Sequence, residues 1–216
     1  TTTVVTGEPL TLYWVHNAED GSSQVRAELE IAINGTPTTY TIENSTGEDE
    51  KDKTSFYTIN TSEFLEGNKL LWRVRTCGVT EVYGDWSIQR TVDIYTPPTL
   101  TLVITNSSGE TFETLTNFPI KVKGTAGPTS QTAIGYHLTV TSNDAYETVD
   151  SLGNSKYINK GDTIYSRYFD NSRELSTTLS ASELSLENNM SYTITCVVSM
   201  NSGLTAKSSS IFKVAW

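Results

Sequence analysis

Histidine and cysteine are scarce in this chain: 216 residues carry two of each. His16 and His137 fall one in each half, inside strand-like runs, and no Ser or Cys nucleophile has a partner base. Zinc requires about four N or S ligands, which the sequence cannot gather. No catalytic activity and no cofactor are therefore expected. Cys77 and Cys196 also lie in different halves, so the expectation is two reduced thiols, each a small hydrophobe, and neither a disulfide framework nor a metal clip. Cations are outnumbered, with 15 Lys and Arg against 25 Asp and Glu and a net charge of −10. Nucleic acid, whose phosphates must be neutralised by Lys and Arg, is excluded as an expected partner. Such an acidic surface favours solubility, as in extracellular and virion proteins. No apolar run approaches the roughly 20 residues of a membrane helix, so membrane insertion is not expected. The chain opens Thr1-Thr2-Thr3 with neither methionine nor signal peptide, as a processed product or excised fragment would.

Helical periodicity is nearly absent too; alternation takes its place. In "LTLYW", Leu10, Leu12 and Trp14 share one face. In "VRAELEIAI", Val25, Ala27, Leu29, Ile31 and Ile33 face one way and Arg26, Glu28 and Glu30 the other. In "LLWRVRT", Leu70, Trp72, Val74 and Thr76 point inward while Arg73 and Arg75 point outward. A period of two over five to nine residues marks a strand with one wet face. Asn34-Gly35, the polar stretch 47–53 and Gly84-Asp85 supply the turns between. Many short strands at this spacing predict an all-β sandwich or barrel.

The length suits two domains of about 100 residues each. Pro97-Pro98, after Tyr95-Thr96, reads as a short stiff linker, since proline removes backbone donors and biases its predecessor to extended geometry. The strand pattern restarts after it with "TLTLVIT", "FPIKVKG", "IGYHLTVT" and "MSYTITCVVSM". A weak repeat lays Phe64 to Leu70 over Leu186 to Tyr192, with Trp72 and Val74 over Ile194 and Cys196. The expectation is two related sandwiches, 1–96 and 97–216. The second is longer, with an extra hairpin around 144–169 whose turn is assigned to Asn159-Lys160-Gly161-Asp162.

These runs resemble fibronectin type III (Ig-like) domains. "LWRVRT", a Gly-containing turn and Tyr83-Gly84-Asp85-Trp86-Ser87 resemble that family's strand F, F–G loop and the start of strand G. Tyr192, six residues after Leu186, occupies the place of the family's corner tyrosine, whose hydroxyl bonds back to the backbone; Leu70 stands there in the first half. The resemblance implies two tandem fibronectin type III-like β-sandwiches joined by the Pro-Pro linker. It also implies that strands C and F are neighbours, which would set Glu28 and Glu30 beside Arg73 and Arg75, with Trp86 over an arginine. That arrangement is expected to brace the sheet. With the "FKVAW" exit, the run resembles tandem sandwiches of phage or prophage tail proteins of Gram-positive hosts. A non-catalytic structural or display module is implied, in a virion tail or at a cell surface, with other domains or subunits of its assembly as partners. The alternative is a carbohydrate- or protein-binding module of a bacterial surface protein or secreted enzyme, directed at a host cell-surface glycan or protein. Its site would come from aromatics of the extra hairpin: Tyr146, Tyr157, Tyr165, Tyr168 and Phe169.

The other candidates have plainer explanations. The acidic run Glu48-Asp49-Glu50-Lys51-Asp52-Lys53 and the set Asn143, Asp144, Glu147 and Asp150 lack the spaced oxygen pattern of calcium loops. Lys160-Gly161-Asp162 resembles integrin-ligand tripeptides, but glycine is demanded by tight turns. Sequons at Asn34, Asn44, Asn60, Asn106 and Asn189 follow from the Thr- and Ser-rich composition.

Overall fold

A computed structural model describes residues 2–19, 21–43, 55–62, 64–149 and 152–216. Among these the regular elements are strands and none is a helix, so none offers a helix long and apolar enough to cross a membrane. The chain divides into two compact units, Thr1–Thr96 and Pro97–Trp216.

The first unit holds β1 (Thr2–Val5), β2 (Leu10–Tyr13), β3 (Arg26–Ile33), β4 (Thr36–Glu43), β5 (Phe56–Ile59), β6 (Lys69–Cys77) and β7 (Arg90–Tyr95). Its larger sheet has the order β1-β7-β6-β3-β4, and β2 pairs with β5 in a second, two-stranded sheet. Alternation sets the core. Ala27, Leu29 and Ile31 of β3 and Leu70, Trp72 and Val74 of β6 are buried, and the arginines and glutamates between them remain half-buried on the opposite face. Each buried Leu, Ile or Val contributes about 1.5–3 kcal/mol relative to an exposed one. Trp14, just past β2, is buried with its indole N–H donating to Gln24 Oε1 at 2.9 Å, which satisfies two polar groups inside the core. At the β3–β4 turn Asn34 adopts a φ of 49° and Gly35 one of 87°, the left-handed geometry a two-residue hairpin needs.

The second unit holds β8 (Thr99–Thr105), β9 (Thr114–Leu115), β10 (Ile120–Gly127), β11 (Ala133–Ser142), β12 (Tyr146–Val149), β13 (Ser155–Ile158), β14 (Thr163–Asp170), β15 (Leu175–Leu179), β16 (Ser191–Met200) and β17 (Thr205–Val214). Its larger sheet, β14-β11-β16-β17-β9, repeats the plan of the first unit, down to an edge strand that pairs in parallel with the last strand. Its smaller sheet has three strands, β15-β10-β8. Leu70 and Tyr192 are each the second residue of their strand, β6 and β16, and each is fully buried.

Two sequence expectations need correction. The inserted hairpin is β12 with β13, spanning Tyr146 to Ile158. Asn159 to Asp162 is not its turn; it carries the chain from β13 into β14, which pairs with β11 in the larger sheet. The carboxylate of Asp162 accepts the Asn159 amide at 2.8 Å, and Gly161, at a φ of 92°, donates to the Ser142 carbonyl at 2.7 Å. Nor does Tyr83 to Ser87 begin a strand: β7 starts at Arg90. A Cys77–Tyr83 bridge joins this run to β6, and the Gly84 and Ser87 amides donate to the Thr76 and Val74 carbonyls at 3.0 and 2.8 Å. Farther on, the Ser87 hydroxyl stands in for a ladder carbonyl by accepting the Val74 amide at 3.1 Å.

Candidate functional site

The β3–β6 register sets Glu28 directly opposite Arg75 and Glu30 opposite Arg73. Arg73 grips Glu30 with two parallel bonds, Nε to Oε1 at 2.8 Å and Nη2 to Oε2 at 3.0 Å. Arg75 reaches Glu28 Oε2 from Nε at 2.7 Å and from Nη2 at 2.6 Å. The Trp86 indole then covers both cations, each guanidinium carbon lying 4.7 Å from its ring centroid, and Tyr83 flanks Arg75 at 4.9 Å. Tyr83 to Ser87 runs beside β6, held by the Gly84 and Ser87 amides on the Thr76 and Val74 carbonyls, and its two rings lie over the arginines of the sheet face. Arginine suits this position because a planar guanidinium can fork a carboxylate in its own plane while presenting its face to a ring. The carboxylates, cations and rings of this face are committed to one another.

Beside it, still within the first unit, an open groove of about 830 Å³ runs between residues 13–19, with Ser22, and the loop from Gly78 to the start of β7 at Arg90. Trp14, His16, Trp72, Asp85 and Arg90 contribute to its walls, and Val15 and Val82 are largely exposed at its margin. His16 Nδ1 is 2.7 Å from Thr76 Oγ1, while Nε2 is enclosed without a hydrogen-bond partner. His16 therefore lies in the segment after β2 rather than inside a strand. Sequence reading missed this groove because two loops some sixty residues apart build it and neither carries a local signal. The only local hint was His16 itself.

The aromatics of the second unit do not gather into one platform. Tyr165 and Phe169 pack against the core, and the Tyr165 hydroxyl is enclosed without a partner. Tyr168, two-thirds exposed, lies on the other face of β14, stacked on His137 with ring centroids 3.9 Å apart. His137 Nε2 is 2.9 Å from Ser166 Oγ. Tyr157 is exposed on β13, and Tyr146 is buried. The Asn143–Asp144 oxygens already accept hydrogen bonds: Asp144 Oδ2 from the Ser191 amide at 2.8 Å and Asn143 Oδ1 from the Thr193 hydroxyl at 2.9 Å. Among the described residues no three His, Cys, Asp or Glu side chains converge as metal ligands. Asp150 and the run from Glu48 to Lys53 lie outside the described residues.

At the corner before β16, the Tyr192 hydroxyl accepts the Glu187 amide at 2.8 Å and donates to Tyr146 Oη at 3.1 Å. Both cysteines are free and buried, and burial pushes the Cys196 thiol up to about 11. Since the thiolate is the reactive form, Cys196 of the folded protein is expected to resist an aromatic disulfide reagent at pH 8, and to react within the mixing time in denaturant. Rapid labelling of the native chain at Cys196, located by peptide mapping, would show that its core opens.

No protein-family model matches the chain, and no curated protein matches it. Among solved structures it is similar to one described as giving structural insight into host cell surface retention of a 1.5-MDa bacterial ice-binding adhesin. The identity is 15% and the TM-score 0.36, over 99% of this chain and 61% of that one. It is also similar to the sporulation control protein Spo0M of Bacillus subtilis, at 11% identity and a TM-score of 0.30, over 56% of this chain and 50% of that one. The chain thus spans between half and two-thirds of the lengths of these structures.

Proposed function

We propose that the chain is a non-catalytic structural or display module of a larger extracellular assembly, built as tandem fibronectin type III-like sandwiches. Its place would be a phage or prophage tail, with neighbouring domains or subunits of that assembly as its partners. The carrying observation is the Arg73–Glu30 and Arg75–Glu28 ladder under Trp86. The most chemically endowed surface of the first unit spends its charges and rings on holding β3, β6 and the 83–87 segment together. A surface built this way transmits geometry and presents no reacting group. The three residues between β7 and β8, Thr96-Pro97-Pro98, suit an array of modules strung on short connections.

A second reading, a glycan- or protein-binding module of a bacterial surface or secreted protein, is favoured by one observation, the groove around His16 with its unpartnered Nε2. A glycan array and a pull-down on Gram-positive cell walls separate the two. The labelled chain is expected to be retained by neither. Retention that His16→Ala abolishes, with the melting temperature unchanged, would replace the first reading with the second.

A further inference from the structure

The two units share a plan but differ at one edge. In the second, β10 is flanked by β15 on one side and β8 on the other. In the first, β2 is flanked by β5 alone among the described residues. The Trp14 amide donates to the Ser55 carbonyl, and antiparallel pairs alternate, so Leu10 and Leu12 bond toward β5 while the amides and carbonyls of Thr11 and Tyr13 turn to the open side. A trench of about 740 Å³ lies there. Buried Leu10, Leu12, Trp72 and Val92 line it, and Ile88, 87% exposed, stands at its rim.

We propose that this edge is a docking site for one further strand, an extended segment with apolar residues at alternate positions, entering from the N-terminal side of Thr1. The second unit shows what such a segment looks like. There β8 pairs with β10 from Thr99 to Thr105, packs on β17, and turns Leu100, Leu102 and Ile104 to the core. After β8 the chain crosses to β9, which pairs in parallel with β17. β1 holds the β9 position in the first unit, pairing in parallel with β7. The position ahead of β1 is therefore that of β8, and the trench between β2 and the 88–92 segment is the space that β8 fills in its own unit. An incoming strand satisfies the open Thr11 and Tyr13 groups, and its apolar side chains cover the trench walls and Ile88.

The test grafts a copy of residues 99–113 ahead of Thr1 of the full chain and follows amide hydrogen exchange. In the 216-residue chain, Thr11 and Tyr13 are expected to exchange faster than Leu10 and Leu12. In the graft they are expected to slow by at least about tenfold, with Ile88 withdrawn from solvent. A graft whose copied Leu100, Leu102 and Ile104 are each replaced by Ser is expected to give no protection. Strong protection of Thr11 and Tyr13 in the ungrafted chain, or equal exchange with and without the graft, would overturn the proposal. So would protection by the same sequence added as a free peptide but not by the graft, which would assign the edge to a second polypeptide.

Discussion

Replacing Tyr192 with alanine is expected to destabilise the 97–216 unit by about 3–5 kcal/mol, the cost of a large cavity plus stranded polar groups. The ring is fully buried between Phe212, at 5.7 Å, and Tyr146, at 6.3 Å. Its removal leaves the Glu187 amide without an acceptor and the Tyr146 hydroxyl without its donor. Tyr192→Phe keeps the packing and loses only the hydroxyl, so about 1–2 kcal/mol is expected. Urea titration of both variants, read by resonances of the second unit, checks the pair. Equal losses would mean that the ring contributes nothing beyond its oxygen. The same phenol carries a pH signature. Burial, opposed by the Glu187 amide bond, raises its pKa well above the ordinary phenol value. The folded state then holds this proton more tightly than the unfolded chain. The contribution is complete below about pH 10, the unfolded value, and is lost as pH rises toward the folded one. Tyr136, also raised by burial, adds in the same direction. Tyr192→Phe should therefore flatten the alkaline fall in stability without abolishing it; an unchanged slope would assign the fall elsewhere.

Trp86→Ala is expected to cost the 1–96 unit about 1–3 kcal/mol, summing two cation–π contacts of roughly 0.5–1 kcal/mol each and the apolar cover of the ring. A double-mutant cycle with Arg73→Ala should return a coupling of about 0.5–1 kcal/mol, because the guanidinium of Arg73 stands 4.7 Å from the ring. The ion pairs beneath are worth less than their geometry suggests. Their side chains keep between 20% and 37% of their exposure, so solvent screens them and each contributes about 0.2–1 kcal/mol. An additive cycle with unchanged stability, accompanied by lost retention on a glycan or cell wall, would turn Trp86 from a brace into a contact residue.

Parity was readable and register was not. The alternation of Ala27, Leu29 and Ile31 with charged residues is enough to place Glu28 and Glu30 on a wet face, because a strand's side chains have a period of two whatever its neighbours are. The resemblance supplied the neighbouring strands, but which glutamate meets which arginine, Glu30 with Arg73 and Glu28 with Arg75, depends on the register of the two strands. The run from Tyr83 to Ser87 looks like a strand start, yet at Ser87 the amide bonds the Val74 carbonyl while the side-chain hydroxyl, in place of the carbonyl, takes the Val74 amide, and no residue-type preference signals that substitution. Asn159-Lys160-Gly161-Asp162 has the chemistry of a hairpin turn. The same Asx-turn bonds serve equally to pass from one sheet pair to another. The groove at His16 and the open edge of β2 were illegible because both are spaces between elements. Local periodicity reports the side chains that border such spaces and is silent on what meets across them.

The parallel pairing of β1 with β7 ties the first strand of the 1–96 unit to its last, from Thr2–Val92 to Val5–Tyr95. Tension applied at the two termini of that unit pulls β1 from its beginning and β7 from its end, which lie at opposite ends of a parallel pair. The two strands must slide along each other, so their hydrogen bonds share the load and fail together; an antiparallel pair would unzip bond by bond. Stretched in a force microscope, this unit is expected to yield in one abrupt, high-force event, the response of a mechanical clamp.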